Sequence, residues 1–231
     1  TQRRGAAFIG WKSVAAPRKM GVVSILLWIS SHCDKERRPL WKISDILMIK
    51  RLFDVALAIL LLAPALMLVL LAAILIKLES PGPAIFKQRR VGRHQKLFTM
   101  LKLRTMAVDT GDRASHEVSS LQITKTGKIL RKTKIDELPQ IWSVLVGDMS
   151  FVGPRPCLPV QTELIEARDR LKVFSVLPGI TGPAQIKKID MSTPDRLARV
   201  DGQYVLKQSL SCDLYYIFAT AFGKGSGDAA L

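Results

Sequence analysis

From Val55 to Ile76 the chain runs for 22 residues without a charge: VALAILLLAPALMLVLLAAILI. As one straight helix this stretch reaches ~33 Å, against a hydrocarbon core of about 30 Å. A helix that is apolar all round belongs in lipid or in the middle of a large core. Length alone permits a single crossing of a bilayer. Pro64 complicates that, because it lacks an N–H and its ring clashes with the preceding turn, which predicts a kink. Before the stretch lie Arg37, Arg38, Lys42, Lys50 and Arg51; after it come Lys77, Lys87, Arg89, Arg90, Arg93, Lys96, Lys102 and Arg104. Positive residues favour the cytoplasmic side. A straight crossing satisfies one of these flanks, whereas a re-entrant helix bent at Pro64, leaving by the leaflet it entered, satisfies both. The sequence leaves both open and leans to the re-entrant form.

The 35 Lys and Arg outnumber 19 Asp and Glu, a formal charge of +16. Such an excess calls for an anionic partner: nucleic acid, an acidic membrane surface or a phosphorylated substrate. Mean hydropathy is nevertheless positive, so apolar and basic residues are segregated along the chain. No recognition-helix, RRM, KH or zinc-finger pattern is present. Aromatic residues make up 6% and form no stacking platform, which argues against nucleic acid as the partner. A membrane-tethered basic module for nucleic acid or anionic lipid stands as the alternative reading, and a purely structural membrane anchor as a third. Cys33, Cys157 and Cys212 share no metal spacing and read as free thiols of a reducing compartment. No cleavable signal peptide is expected; Gly21 to Ser30 is apolar over too short a distance.

After the apolar segment, Ser80-Pro81-Gly82-Pro83 makes a turn, and Ala84–Phe86 and Leu97–Met100 read as short strands. Ala107 to Gln122 reads as a surface loop or soluble helix. Thr126 to Phe151 reads as two helices, with Leu138, Ile141, Trp142, Leu145 and Val146 on one helical face of the second. Val160 to Val173 and Leu210 to Phe222 read as helices, the last amphipathic. The Pro- and Gly-rich stretches around Pro154-Arg155-Pro156 and Pro178-Gly179-Ile180-Thr181-Gly182 read as site-bearing loops.

Within KTGKILRKTKIDELPQ, five cations (Lys125, Lys128, Arg131, Lys132, Lys134) precede the adjacent acids Asp136 and Glu137. The acids stand where a helical pattern starts, and Pro139 suits a first turn. Asp136 as a plain N-cap, worth ~1 kcal/mol, accounts for that position. A cap needs neither a neighbouring acid nor a cluster of cations. An ionised carboxylate among cations can also attack phosphorus or hold a divalent metal beside phosphate.

Six motifs follow in order: Lys50-Arg51-Leu52-Phe53-Asp54 before the apolar segment; Gly82-Pro83-Ala84-Ile85-Phe86-Lys87-Gln88-Arg89-Arg90-Val91-Gly92; Lys102-Leu103-Arg104-Thr105-Met106; Asp136-Glu137-Leu138-Pro139-Gln140; Gly147-Asp148-Met149-Ser150-Phe151-Val152-Gly153-Pro154-Arg155-Pro156; and Pro178-Gly179-Ile180-Thr181-Gly182. Together they resemble the small monotopic phosphoglycosyl transferases, the bacterial sugar transferase family, from about Ile49 to Gly225. Two departures stand out: Ala63-Pro64 where relatives often have Ser-Pro, and Pro183 where many have a larger residue.

The resemblance implies an α/β fold with mostly helical content: a re-entrant helix-break-helix over 49–78 and a small cytoplasmic catalytic domain over 79–225 with amphipathic surface helices. Residues 1–48 form an extension without an assigned role, and 226–231 a tail. It further implies an enzyme of the bacterial inner membrane, acting at its cytoplasmic face. That enzyme moves a sugar-1-phosphate from a UDP-sugar to undecaprenyl phosphate in two half-reactions, as the first membrane step of polysaccharide or glycoconjugate assembly. Asp136 would be the nucleophile and Glu137 its partner acid, the two holding Mg²⁺. Arg155, Arg131, Lys102 and Arg104 would bind phosphate, and Asp201 would belong to the site. The expected partners are the UDP-sugar, undecaprenyl phosphate and membrane lipid, with a homodimer conceivable and no nucleic acid. Asp213 reads as a helix-surface residue.

Overall fold

The computed structural model describes residues 43–107 and 123–223. Residues 1–42 of the extension, the stretch 108–122 and residues 224–231, with the expectations placed on them, lie outside the described residues. Helix α1 covers Ile43–Glu79, and within it Leu47–Glu79 is long and apolar enough to cross a membrane. Leu and Ala are strong helix formers, and the helix runs continuously through Pro64. The sequence-based break is therefore not a break in the helix. One proline removes a single N–H, and the turns on either side keep the helix assembled.

The packing of α1 inverts that of a helix in a water-soluble protein. The buried stripe is made of Lys50, Asp54, Ala58, Ala65, Ala72 and Ile76, while Ile59, Leu60, Leu66, Met67, Leu70, Leu71 and Ile74 face outward. Steps of four and seven keep the stripe on one side of the helix. Alanines there let neighbouring backbones come close, and the large apolar side chains are left for lipid.

Strands β1 (Ile85–Val91) and β2 (Leu97–Leu103) form an antiparallel hairpin with Gln88 opposite Met100 and Phe86 opposite Lys102. Strand alternation splits the basic run by parity: Gln88, Arg90, Met100 and Lys102 turn inward, while Lys87 and Arg89 face out. Helix α2 (Lys125–Thr133) and helix α3 (Gln140–Val146) follow, joined through a single 3₁₀ turn at Ile135–Glu137. Glu79, the last residue of α1, accepts from the backbone N–H groups of Lys125 (2.7 Å) and Thr126 (3.0 Å), closing the start of α2. Arg51 donates to the carbonyls of Val144 and Leu145 at the end of α3.

Strands β3 (Ser150–Val152) and β4 (Gly179–Thr181) pair in parallel, Ser150 opposite Gly179 and Val152 opposite Thr181. Their loops touch backbone to backbone: a Cβ on Gly179 would sit 2.0 Å from the Gly153 nitrogen, so only glycine fits. Helices α4 (Thr162–Arg170), α5 (Pro183–Ile186), α6 (Pro194–Lys207) and α7 (Leu210–Ala221) complete the fold. One core joins Ala58 and Ala65 of α1 to Met100, Ile141, Val144, Phe151 and Tyr204. A second gathers Val91, Leu164, Phe174 and Leu197; a third packs Ala72 and Ile76 on Leu103 and Leu130.

The fold is mostly helical with two small sheets, as expected, and differs from the sequence reading in detail. In α3 the buried side is Gln140, Ile141, Ser143 and Val144, whereas Trp142 and Val146 are exposed. Asp213 is not a surface residue: it is buried against Lys50 Nζ at 2.7 Å, and Tyr204 donates to its Oδ1 at 2.8 Å. Asp54 accepts from the Phe151 N–H at 3.2 Å, so a buried polar network fixes the start of α1 to β3, α6 and α7. Burial pushes the Asp213 carboxyl above its ordinary value, with Lys50 pulling it back. Cys157 is a buried free thiol.

Candidate active site

Helix α2 starts at Thr124, whose side chain accepts from the Gly127 N–H, and stops at Lys134, which takes a left-handed conformation (φ 60°). That conformation costs a non-glycine residue about 1–2 kcal/mol. It turns the chain sharply, and the 3₁₀ turn that follows buries both Asp136 and Glu137. Neither acid is a helix cap. The residues at the cap positions of the turn and of α3 are Lys134 and Pro139, and neither makes a side-chain capping bond. The plain N-cap reading of Asp136 thus fails.

Two cations from different elements reach Glu137. Arg155 Nη2 lies 2.9 Å from Oε1, and Lys102 Nζ lies 3.4 Å from the same oxygen. Lys102 comes from the inward face of β2 and is buried. Arg155 comes from the loop after β3, its backbone held between Pro154 and Pro156. All three side chains are largely buried, so their attraction is screened far less than on a surface. Lys134 stands beside them. Burial and the Arg155 charge depress its ammonium pKa, with Glu137 and Asp136 opposing.

The other expected residues divide. Arg131 donates to Thr105 Oγ1 at 3.0 Å, beside the end of β2 and five residues before Asp136. Arg104 donates to the Ser80 carbonyl (2.9 Å), the Ser80 hydroxyl (2.8 Å) and the Pro81 carbonyl (2.6 Å), so it fastens the turn that follows α1. Asp201 is fully buried and receives Arg168 Nε (3.0 Å) and Nη2 (2.7 Å) on Oδ2. Arg168 in turn donates Nη1 to the Arg155 carbonyl at 2.8 Å. Asp201 therefore reaches the acid pair through Arg168 and Arg155. Burial pulls the Arg168 guanidinium down, but the charge and hydrogen bonds of Asp201 outweigh it and hold the pKa above the ordinary value.

Sequence reasoning missed Arg168 and the Tyr204–Asp213 pair. Arg168 lies in an otherwise ordinary polar helix, and no local pattern marks it. Tyr204, three residues after Asp201, offered the only hint, a polar pair on one helical face.

Among the described residues no three acidic, His or Cys side chains converge as a closed metal site. Two adjacent carboxylates still fit Mg²⁺, which usually takes one or two carboxylates and fills its shell with water and substrate phosphate.

A buried acid pair with two cations on Glu137, on a body packed along a lipid-suited helix, suits an enzyme that handles anionic groups at a membrane. Residues 46–224 match the bacterial sugar transferase family. The chain is 38% identical over 178 residues to the uncharacterized sugar transferase EpsL of Bacillus subtilis, covering 75% of this chain and 86% of that protein. It is 41% identical over 172 residues to the UDP-glucose:undecaprenyl-phosphate glucose-1-phosphate transferase of Caulobacter vibrioides, covering 73% and 62%. It is 39% identical over 186 residues to the exopolysaccharide production protein PSS of Rhizobium leguminosarum, covering 74% and 86%. The chain belongs to the bacterial sugar transferase family.

Proposed function

We propose that this chain transfers a sugar-1-phosphate from a UDP-sugar to undecaprenyl phosphate and releases UMP. The relative named for that reaction in Caulobacter supports the substrates. The observation that carries the reading is the buried turn of Asp136 and Glu137, with Lys102 and Arg155 on Glu137. With its partner acid neutralised by two cations, Asp136 can meet a diphosphate without facing an uncompensated negative neighbour.

In the first half-reaction an Asp136 carboxylate oxygen bonds to the β-phosphorus. The bond from that phosphorus to the bridging oxygen breaks, and UMP leaves with the electron pair. In the second, an oxygen of the lipid phosphate bonds to the same phosphorus and the aspartyl oxygen departs. With the phosphates ionised, neither half needs a proton transfer. Arg155 offers a planar fork to the phosphoryl oxygens, and Lys102 and Arg131 add charge nearby. When bound through Asp136 and Glu137, Mg²⁺ would neutralise diphosphate charge.

The same proposal places both ends of α1 on the cytoplasmic face of the inner membrane, with a bend at Pro64. Support comes from the contacts of α1 with one polar body: Lys50 and Arg51 near its start, Glu79 at its end. A straight crossing would draw that body into the hydrocarbon. The alternative, a basic binding module, is weakened because Arg90, Lys102 and Arg104 of the basic run are buried, whereas Lys87, Arg89, Arg93 and Lys96 stay exposed. The test is a panel of UDP-sugars with undecaprenyl phosphate and Mg²⁺: UMP released with at least one donor, and none after Asp136→Asn, is expected. Salt-sensitive DNA binding with no UMP from any donor would refute the proposal.

A further inference from the structure

Pro154 and Pro156 leave the segment that carries Arg155 without an N–H at two positions. At those residues the backbone can be held only through its carbonyls. The fold delivers a donor to each carbonyl in turn. The Gly179 N–H reaches the Pro154 carbonyl at 2.9 Å, and Arg168 Nη1 the Arg155 carbonyl at 2.8 Å. Arg90 Nη1 reaches the Pro156 carbonyl at 3.0 Å, and the Val91 N–H the Cys157 carbonyl at 2.9 Å. Just before them, the Gly153 N–H donates to the Thr181 carbonyl at 2.9 Å. The segment from Gly153 to Cys157 is thus gripped at every residue, by β1, β4 and α4.

Nothing in the proposed chemistry uses Arg90. It is buried on the inward face of the hairpin, where a charged group is costly to place. Its Nε (2.9 Å) and Nη2 both donate to Gln88 Oε1, two residues earlier on the same face. The Gln88 amide fixes the plane of the guanidinium, and the remaining nitrogen is aimed at the Pro156 carbonyl. A lysine has a single nitrogen and no plane to fix, so it cannot span the two acceptors in this way. The same inward face carries Lys102, which stands opposite Phe86 and lies 3.4 Å from Glu137 Oε1. Arg155 meets that oxygen at 2.9 Å. One hairpin therefore sets both cations on Glu137: Lys102 directly, and Arg155 through the carbonyl beside it.

We infer that Arg90, oriented by Gln88, is a positioning residue for the reaction and acts on the acid pair through the loop that carries Arg155. The inference rests on the reaction proposed above. Releasing the Pro156 carbonyl frees the residue next to Arg155, and a misplacement of about 1 Å in a group that meets the transferred phosphoryl costs on the order of a hundredfold in rate.

The test is a cycle of variants of the full chain in detergent or nanodiscs. Arg90→Met should lower the first-turnover rate of UMP release by about tenfold to a hundredfold. In an Arg155→Ala background the same change should cost less than about twofold, because the group it aims is gone. A purely structural Arg90 gives the same loss in both backgrounds, and that result overturns the inference. Arg90→Lys keeps the charge without the fork and should stay about fivefold or more below the unaltered protein; full rate with lysine also overturns it. If Arg90→Met does not fold, Gln88→Leu, which leaves Arg90 in place without its aligning acceptor, is carried through the same cycle with the same non-additivity expected. A second measurement needs no turnover. Hydrogen exchange at the Gly153 N–H should be about tenfold or more faster in Arg90→Met, with α3 unchanged; equal exchange at Gly153 in both proteins overturns the inference. If the unaltered protein releases no UMP, the proposed reaction itself fails, and the exchange measurement still decides whether Arg90 holds the loop.

Discussion

Removing Arg168 tests the chain of contacts that holds Arg155. Arg168 and Asp201 are both essentially inaccessible, and three short donations leave Arg168: two to Asp201 Oδ2 and one to the Arg155 carbonyl. Arg168→Met fills much of the same volume but strands the Asp201 carboxylate without its counter-ion. Breaking a buried pair in this way costs about 3–5 kcal/mol. At about 2–4 °C per kcal/mol for a domain of this size, the apparent melting temperature should fall by roughly 6–20 °C. Arg168→Met with Asp201→Leu removes both charges, and replacing a whole buried pair by apolar groups is often neutral or stabilising. Stability should therefore return in the double variant. Turnover should not, because the Arg155 carbonyl still lacks its donor and the guanidinium facing Glu137 is no longer held. The assay is a double-mutant cycle in detergent or nanodiscs, reading thermal unfolding and UMP release side by side. Additive stability losses, or a double variant that regains kcat along with stability, would refute this reasoning.

Arg104→Gln should lower stability by about 1–3 kcal/mol, since its bonds go to Ser80 and Pro81, while KM for the UDP-sugar stays the same; a large rise in that KM would return Arg104 to the phosphate site. Lys134 has a folded pKa below 10.5, so between its folded pKa and 10.5 the unfolded chain binds more protons. Stability from this group should rise with pH across that window, and Lys134→Gln, which cannot titrate, should remove that rise. Thermal unfolding followed across that window checks this, and the same pH profile in both proteins would contradict it. Cysteine-accessibility labels at Lys42 and Ser80 should react from the same side of sealed vesicles, and labelling from opposite sides would show a crossing.

Where local pattern and tertiary role coincide, the sequence was readable. The uncharged run and two strands, expected at 84–86 and 97–100 and found longer at Ile85–Val91 and Leu97–Leu103, declare themselves by apolarity; the pairing of those strands and the 3₁₀ turn at Ile135–Glu137 do not. Strands β3 and β4 have three residues each, too few for an alternation to register. Helix α6 hid for a different reason. Its buried face, Leu197, Ala198, Asp201, Gly202 and Tyr204, contains an acid and a glycine where an apolar stripe is sought. Asp213 was misread because its partners are 163 and nine residues away, and nothing local announces a buried carboxylate with a distant lysine. Trp142 and Val146 counted toward an inward face because periodicity registers apolarity alone, and beside α1 an outward position also takes apolar residues. At the site, the acids and Arg155 were visible as types in a pattern. That Arg104 bonds the turn at Ser80 and Asp201 pairs with Arg168 depends on which way strands and helices face once packed.

The central claim concerns one carboxylate. The protein incubated with a UDP-sugar and Mg²⁺ without acceptor lipid, then quenched and digested, should yield a peptide spanning Asp136 that is heavier by one sugar phosphate. The adduct should map to Asp136, and undecaprenyl phosphate added before the quench should remove it. An adduct on another side chain, or none while lipid-linked product still forms, would contradict the account.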